Sequence, residues 1–173
     1  MLNFFCECLA VKQLINKKID LVIMDVAALK IEIDKIIKKN SSKEETLQSI
    51  CDYLEKQISY YDWVGFYFKN GDKNELKLAQ YTGEETEHTI IPFGKGICGQ
   101  VAVSNENFVV QDVSEQDNYI SCGWKVKSEI VIPIFVAGEN IGQIDIDSHT
   151  ANIFTNKDTI LLEYVCKEVA TIL

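Results

Sequence analysis

Over residues 25–39, apolar side chains at Val26, Leu29, Ile33, Ile36 and Ile37 recur three and four positions apart, the spacing of one helical face, with Ile31 off the stripe. Asn40 and Ser41 end that run. A second helix follows at once: Ser42 and Glu45 have capping-box spacing, in which each side chain satisfies a backbone donor left open at the helix start. Leu47, Ile50, Cys51, Leu54 and Ile58 continue it as one apolar stripe. The period then changes. Residues 63–68 are aromatic and branched, Asn70, Gly71 and Asp72 form a turn signal, and residues 76–81 resume with Leu76 and Leu78 alternating, so a β-hairpin is predicted. Pro92, Gly94, Gly96 and Gly99 mark a loop, after which residues 97–104 suit a short helix and 108–110 a short strand. The stretch 112–123 is polar and irregular. Strands over 129–136 and 141–147, joined by a turn at 137–140, make a second hairpin. Thr155 and Asp158 repeat the capping-box spacing, and Leu162, Val165, Cys166, Val169 and Leu173 form the stripe of a closing helix, expected to pack beside the second helix.

Helices, antiparallel hairpins and a closing helix argue an α+β domain: a central antiparallel sheet with the N- and C-terminal helices on one face and a loop-covered pocket on the other. We place this single domain at residues 25–173, with 1–24 an N-terminal extension of unclear role. Alternation along the strands sorts their side chains. Val64, Phe66, Phe68, Ile130, Ile132, Ile134, Val136, Ile144 and Ile146 should face the helices. The opposite face then collects Trp63, Tyr67, Glu129, Asp145 and Asp147, with Gly65, Val131, Pro133, Phe135 and Gln143. Two aromatic rings with three carboxylates suit a small cationic group such as an ammonium. The alternative is a solvated sheet face with Trp63 in the core; five such residues together favour a pocket.

The net charge of −9 disfavours nucleic acid or an anionic membrane as partner, because both need a basic face. Glu7, Lys12, Lys17, Lys18 and Asp20 interrupt the apolar N-terminal stretch well short of a bilayer span, and no signal-peptide pattern is present, so a cytoplasmic location is expected. There the six cysteines should be reduced at rest. Cys51 and Cys166 sit on apolar stripes and read as core, while Cys6 and Cys8 lie in the unassigned extension. Cys98 follows the glycine loop at a helix start beside Lys95, and Cys122 lies in a polar loop ahead of Lys125 and Lys127. Both settings favour a reactive thiolate, although Cys98 also suits a small residue tucked under the loop. His88, Cys98 and Cys122 lack metal-ligand spacing, so no metal is expected, and no phosphate-binding loop or other cofactor motif is present. His149 is a possible general base, though such a histidine is more often a hydrogen-bonded surface residue.

These motifs carry a resemblance. Residues 63–67 (WVGFY), 91–99 (IPFGKGICG), 119–122 (YISC), 128–131 (SEIV) and 145–148 (DIDS) are similar to those of the GAF-domain family, and within it to the free methionine-(R)-sulfoxide reductases. The resemblance implies a thiol-dependent oxidoreductase acting on free methionine sulfoxide, with Cys122 as nucleophile and Cys98 as a second redox cysteine; the disulfide that a sulfenic acid forms with a thiol suits thioredoxin as reductant, and the helices beginning near Asp25 and Asn156 suit a homodimer. The resemblance also implies that Trp63, Tyr67, Glu129, Asp145 and Asp147 hold the substrate and assist protonation of its oxygen. The pattern departs at three positions: His88 stands where these reductases usually carry a third cysteine, Tyr119 in place of a histidine, and Gly123 in place of an aspartate. Without a cysteine at position 88, Cys98 or an external thiol must resolve Cys122. A GAF module that senses a small ligand or an oxidant is the alternative, and an interaction scaffold whose helices dimerise is a third, weaker one.

Overall fold

The computed structural model describes residues 25–39, 41–116 and 125–173. In chain order it contains α1 (Val26–Lys39), α2 (Lys43–Gln57), β1 (Trp63–Lys69), β2 (Glu75–Thr82), β3 (Ile90–Pro92), α3 (Gly96–Ser104), β4 (Phe108–Val110), β5 (Ser128–Val136), β6 (Glu139–Ser148) and α4 (Asn156–Val169). Short 3-10 turns lie at Val113–Glu115 and Ala170–Ile172. The strands form one antiparallel sheet in the order β3-β2-β1-β6-β5-β4. No helix among the described residues is long and apolar enough to cross a membrane.

α1, α2 and α4 each begin where a polar side chain takes up open backbone donors, whereas α3 starts without a side-chain cap. Asp25 Oδ1 accepts from the amides of Ala27 and Ala28, and Ser42 Oγ accepts from Glu45 N, the first half of the expected box. At α4 both halves of the box form: Thr155 caps the helix and Asp158 Oδ2 accepts from Thr155 N at 2.7 Å. The other carboxylate oxygen of Asp158 accepts from the hydroxyls of Tyr60 and Tyr61 at 2.8 and 3.0 Å. One buried acid therefore ties the start of α4 to the α2–β1 connection. The β5–β6 turn is tighter than the sequence suggested. Val136 pairs with Glu139 across Ala137 and Gly138, both at positive φ, as a two-residue hairpin turn requires.

Two apolar clusters sandwich the sheet. On one side α1, α2 and α4 cover Val64, Phe66, Ile130, Ile132, Ile134, Ile144 and Ile146. On the other, Trp63, Tyr67 and Val131 pack with Ile97, Cys98 and Val101 of α3. Alternation thus sorted the strand faces correctly as far as Ile134; Phe135 and Val136 lie past a shift in the β5–β6 register and belong to neither cluster. The helix neighbours differ from expectation: α4 lies over β5 beside α1, whereas α2 lies over β1 and β2. An apolar stripe fixes which face of a helix is buried but not what it is buried against. Leu173 also falls outside α4 and is exposed, since the helix ends at Val169.

Candidate active site

β6 occupies the middle of the sheet, and its pairings set the site in rows. Asp147 lies opposite Trp63 on β1 and Glu129 on β5; two residues along, Asp145 lies opposite Gly65 and Val131. The next row is Tyr67, Gln143 and Pro133. Because these positions are two apart, all their side chains leave the same face. The missing side chain at Gly65 gives the Trp63 indole its place: a Cβ there would stand 2.1 Å from Trp63 Cη2. Gly83 closes the other side of the ring, where a Cβ would stand 2.5 Å from Trp63 Cδ1. The indole stacks on Tyr81 at 5.5 Å between centroids and donates from Nε1 to Glu84 O, while Tyr67 OH donates to His88 O.

α3 brings the sulfur. Gly94 and Gly96 take positive φ, and Gly99 has no Cβ where one would meet Pro92 O at 2.5 Å, so the glycine loop folds tightly over the helix start. Cys98, in the first turn, is 3% exposed, and its Sγ donates to Asp145 Oδ2 at 3.2 Å. Lys95 lines the same small cavity as Cys98, His88 and Glu129. The thiol donates to a carboxylate oxygen, so an acid as well as Lys95 lies near it.

The three acids are 1–2% exposed. Burial pushes Glu129 well above the usual carboxyl range, and the charges of Asp145 and Asp147 add to it. Asp147 is raised in the same way by burial, then by Asp145 and Asp62. Burial raises Asp145 to about 7, with the Cys98 hydrogen bond opposing. At neutral pH Glu129 and Asp147 therefore hold protons, as a carboxylic acid must to donate one to a ligand oxygen, while Asp145 sits near the midpoint of its titration. Glu129 Oε2, Asp145 Oδ1, Asp147 Oδ1 and both polar atoms of Gln143 are buried with no hydrogen-bond partner. Such groups normally find partners, and several together mark a place built for a polar ligand. Among the described residues, three small cavities beside them measure about 10, 10 and 20 Å³, each of the size that holds a water.

The structure thus brings together Trp63, Tyr67, Cys98, Glu129, Asp145 and Asp147; Cys122, Tyr119 and Gly123 lie outside the described residues, as do Cys6 and Cys8. Cys51 and Cys166 are buried in or beside the helix-side core, where burial pushes both thiols up, away from reactivity. His149 sits nearer the surface, with Nδ1 3.3 Å from Asp62 Oδ1, along a cavity that also reaches Asp147. Sequence reasoning did not foresee the two glycines that clamp Trp63, nor the unpaired side chain of Gln143; the Trp63-x-Gly65 spacing on one strand face was the available signal for the first. A larger cavity of about 460 Å³, between Asn105–Asn107, Pro133, Phe135 and α4, contains none of the candidate residues.

Comparison with known proteins gives a consistent set of likenesses. A family model for the GAF domain matches residues 40–173. GAF domain-containing protein A of Dictyostelium discoideum is 32% identical over 136 residues, covering 79% of this chain and 84% of that protein. A free methionine-R-sulfoxide reductase of Escherichia coli is 31% identical over 132 residues, covering 76% and 78%. The X-ray structure of free methionine-R-sulfoxide reductase from Neisseria meningitidis in complex with its substrate superposes with a TM-score of 0.80 at 30% identity, over 84% of this chain and 86% of that one.

Proposed function

This chain belongs to the GAF domain family, and from that premise we propose that it is a thiol-dependent oxidoreductase that converts free methionine-(R)-sulfoxide to methionine, with Cys122 as nucleophile and Cys98 as the resolving thiol. One observation carries the reading: three buried acids with unpaired oxygens lie on the sheet face that carries Trp63 and Tyr67, and one of them, Asp145, accepts from the Cys98 thiol. Polarity of this kind beside aromatic rings fits a small zwitterion with an apolar tail. The carboxylates meet its ammonium and its sulfoxide oxygen, and the rings cover the thioether.

The chemistry balances in three steps. Cys122 sulfur attacks the sulfoxide sulfur, the substrate's S–O bond breaks as its oxygen passes to Cys122, and methionine leaves with Cys122 as the sulfenic acid, the new bond being Cys122 S–O; the thiol proton ends on the transferred hydroxyl. Glu129, Asp145 or Asp147 lends a proton to that oxygen as charge builds on it and regains one afterwards. The Cys98 thiol then condenses with the sulfenic acid, forming a disulfide and releasing water. A dithiol reductant of the thioredoxin class returns both thiols and becomes a disulfide itself. A homodimer and a cytoplasmic setting, where such reductants act, accompany this reading.

The test is NADPH consumption with thioredoxin and thioredoxin reductase on free (R)- and (S)-methionine sulfoxide. Turnover of the R form, abolished in Cys122→Ser and restored by dithiothreitol in Cys98→Ser, is the expected result. No turnover with either donor would overturn it. His88 at the position of the usual third cysteine would then favour a GAF module that binds a small ligand without turning it over.

A further inference from the structure

We propose that the same pocket is a divalent-metal site of the zinc type, with Cys98 Sγ and one carboxylate oxygen each from Glu129 and Asp145 as its protein ligands. The three atoms lie within 4.8 Å of one another and all three residues are buried. Cys98 Sγ is already 3.2 Å from Asp145 Oδ2. Tetrahedral zinc, with Zn–S near 2.3 Å and Zn–O near 2.1 Å, holds its ligand atoms roughly 3.5 Å apart. The cluster therefore needs side-chain adjustments of an ångström or so and no movement of the sheet. A separate observation points to a cation. Glu129 Oε2 and Asp145 Oδ1 are buried with no hydrogen-bond partner, Asp147 Oδ1 beside them is in the same state, and among the described residues none of the three acids is in an ion pair.

The donor set selects the metal. A thiolate with two carboxylates suits Zn²⁺, Co²⁺ or Cd²⁺, whereas Ca²⁺ and Mg²⁺ prefer six or more oxygens and would find too few. Three protein ligands leave one tetrahedral position open, the arrangement in which zinc keeps a water. These residues sit on α3, β5 and β6, so the fold sets their backbone positions and only side chains need adjust. The functional consequence follows from position. A metal here occupies the place assigned above to the substrate's polar groups and withdraws Cys98 from disulfide formation, so it inhibits the reduced protein.

The test uses the full-length reduced chain titrated with Co²⁺. We expect the near-ultraviolet sulfur-to-cobalt charge-transfer band and the intensified visible bands of a four-coordinate ion. In Cys98→Ser the charge-transfer band is lost, and Glu129→Gln and Asp145→Asn each weaken Co²⁺ binding at least tenfold, since changes to groups that merely orient ligands already cost about 10–100-fold. A band that survives Cys98→Ser, or Co²⁺ affinity unchanged in Asp145→Asn, overturns the site. Circular dichroism confirms that each variant is folded. Only one arm rests on the substrate reading, namely that free methionine raises the apparent Kd for Co²⁺. The band without that competition leaves the metal site standing and counts against the substrate pocket. R-sulfoxide turnover without the band does the reverse.

Discussion

Replacing Asp145 by asparagine should make the protein more stable and less active, and the pH dependence of the gain identifies its cause. The Asp145 carboxyl is raised from an ordinary 3.8 to about 7, chiefly because burial penalises its charged form. In the unfolded chain the same group ionises near pH 4. Below that pH both states hold the proton and the acid costs nothing. As pH climbs from about 4 towards 7 the unfolded chain gives up its proton while the folded chain must keep it, so stability falls; above about 7 the loss is complete. At about 1.4 kcal/mol per tenfold difference in proton affinity, the loss comes to about 4 kcal/mol. At 1% exposure, screening by solvent does not reduce it.

Asparagine removes the titration and keeps the shape. Burying its amide has a cost of its own, but that cost is the same at every pH and cancels when two pH values are compared. Urea unfolding of wild type and Asp145→Asn at pH 4 and pH 8 should therefore show the variant's relative stability rising by about 4 kcal/mol between them. Glu129 and Asp147 are both pushed up by the Asp145 charge, so relieving them adds in the same direction. Reductase turnover should be lost in the same variant, the pattern of a residue whose strain serves function. A gain equal at the two pH values, or a variant no better relative to wild type at pH 8 than at pH 4, would refute the assignment of Asp145 as a buried, destabilising acid.

Gly65→Ala should expel the Trp63 indole from its seat, because the new methyl would stand 2.1 and 2.4 Å from Cη2 and Cζ3. Urea unfolding should show a loss of about 1–3 kcal/mol, near-ultraviolet circular dichroism should change, and KM for the sulfoxide should rise more than kcat falls. Asp158→Ala strips the acceptor from the Tyr60 and Tyr61 hydroxyls and from Thr155 N and Oγ1. It should cost about 3 kcal/mol or more in urea unfolding, and Asp158→Asn clearly less. Cys51 and Cys166 should resist iodoacetamide at pH 8 in the native protein and label only on unfolding, as peptide mass spectrometry would show, because burial holds both as thiols.

How much of this could be read from the chain depends on how far each inference had to reach. Alternation is a local rule, and β5 and β6 obey it over the stretch that matters: Glu129–Asp147 and Val131–Asp145 pair without a slip, and the register shifts only past Ile134. Trp63, Tyr67 and the three acids could therefore be gathered on one face before any strand order was known. What lay across space was not legible in the same way. Cys98 was judged by Lys95, three residues before it, yet the atom it bonds belongs to Asp145, 47 residues on. The closing helix was paired with the wrong partner for the same reason, since Leu162, Val165 and Cys166 show a buried face and say nothing of α1. The acids were the exception because they break a rule that is itself long-range. A strand in the middle of a six-stranded sheet, covered by helices on one side and α3 on the other, has no solvent for Asp145 and Asp147 to meet. Carboxyl groups kept there at a cost of several kcal/mol need a reason outside folding, and a ligand that takes up their unpaired oxygens supplies one.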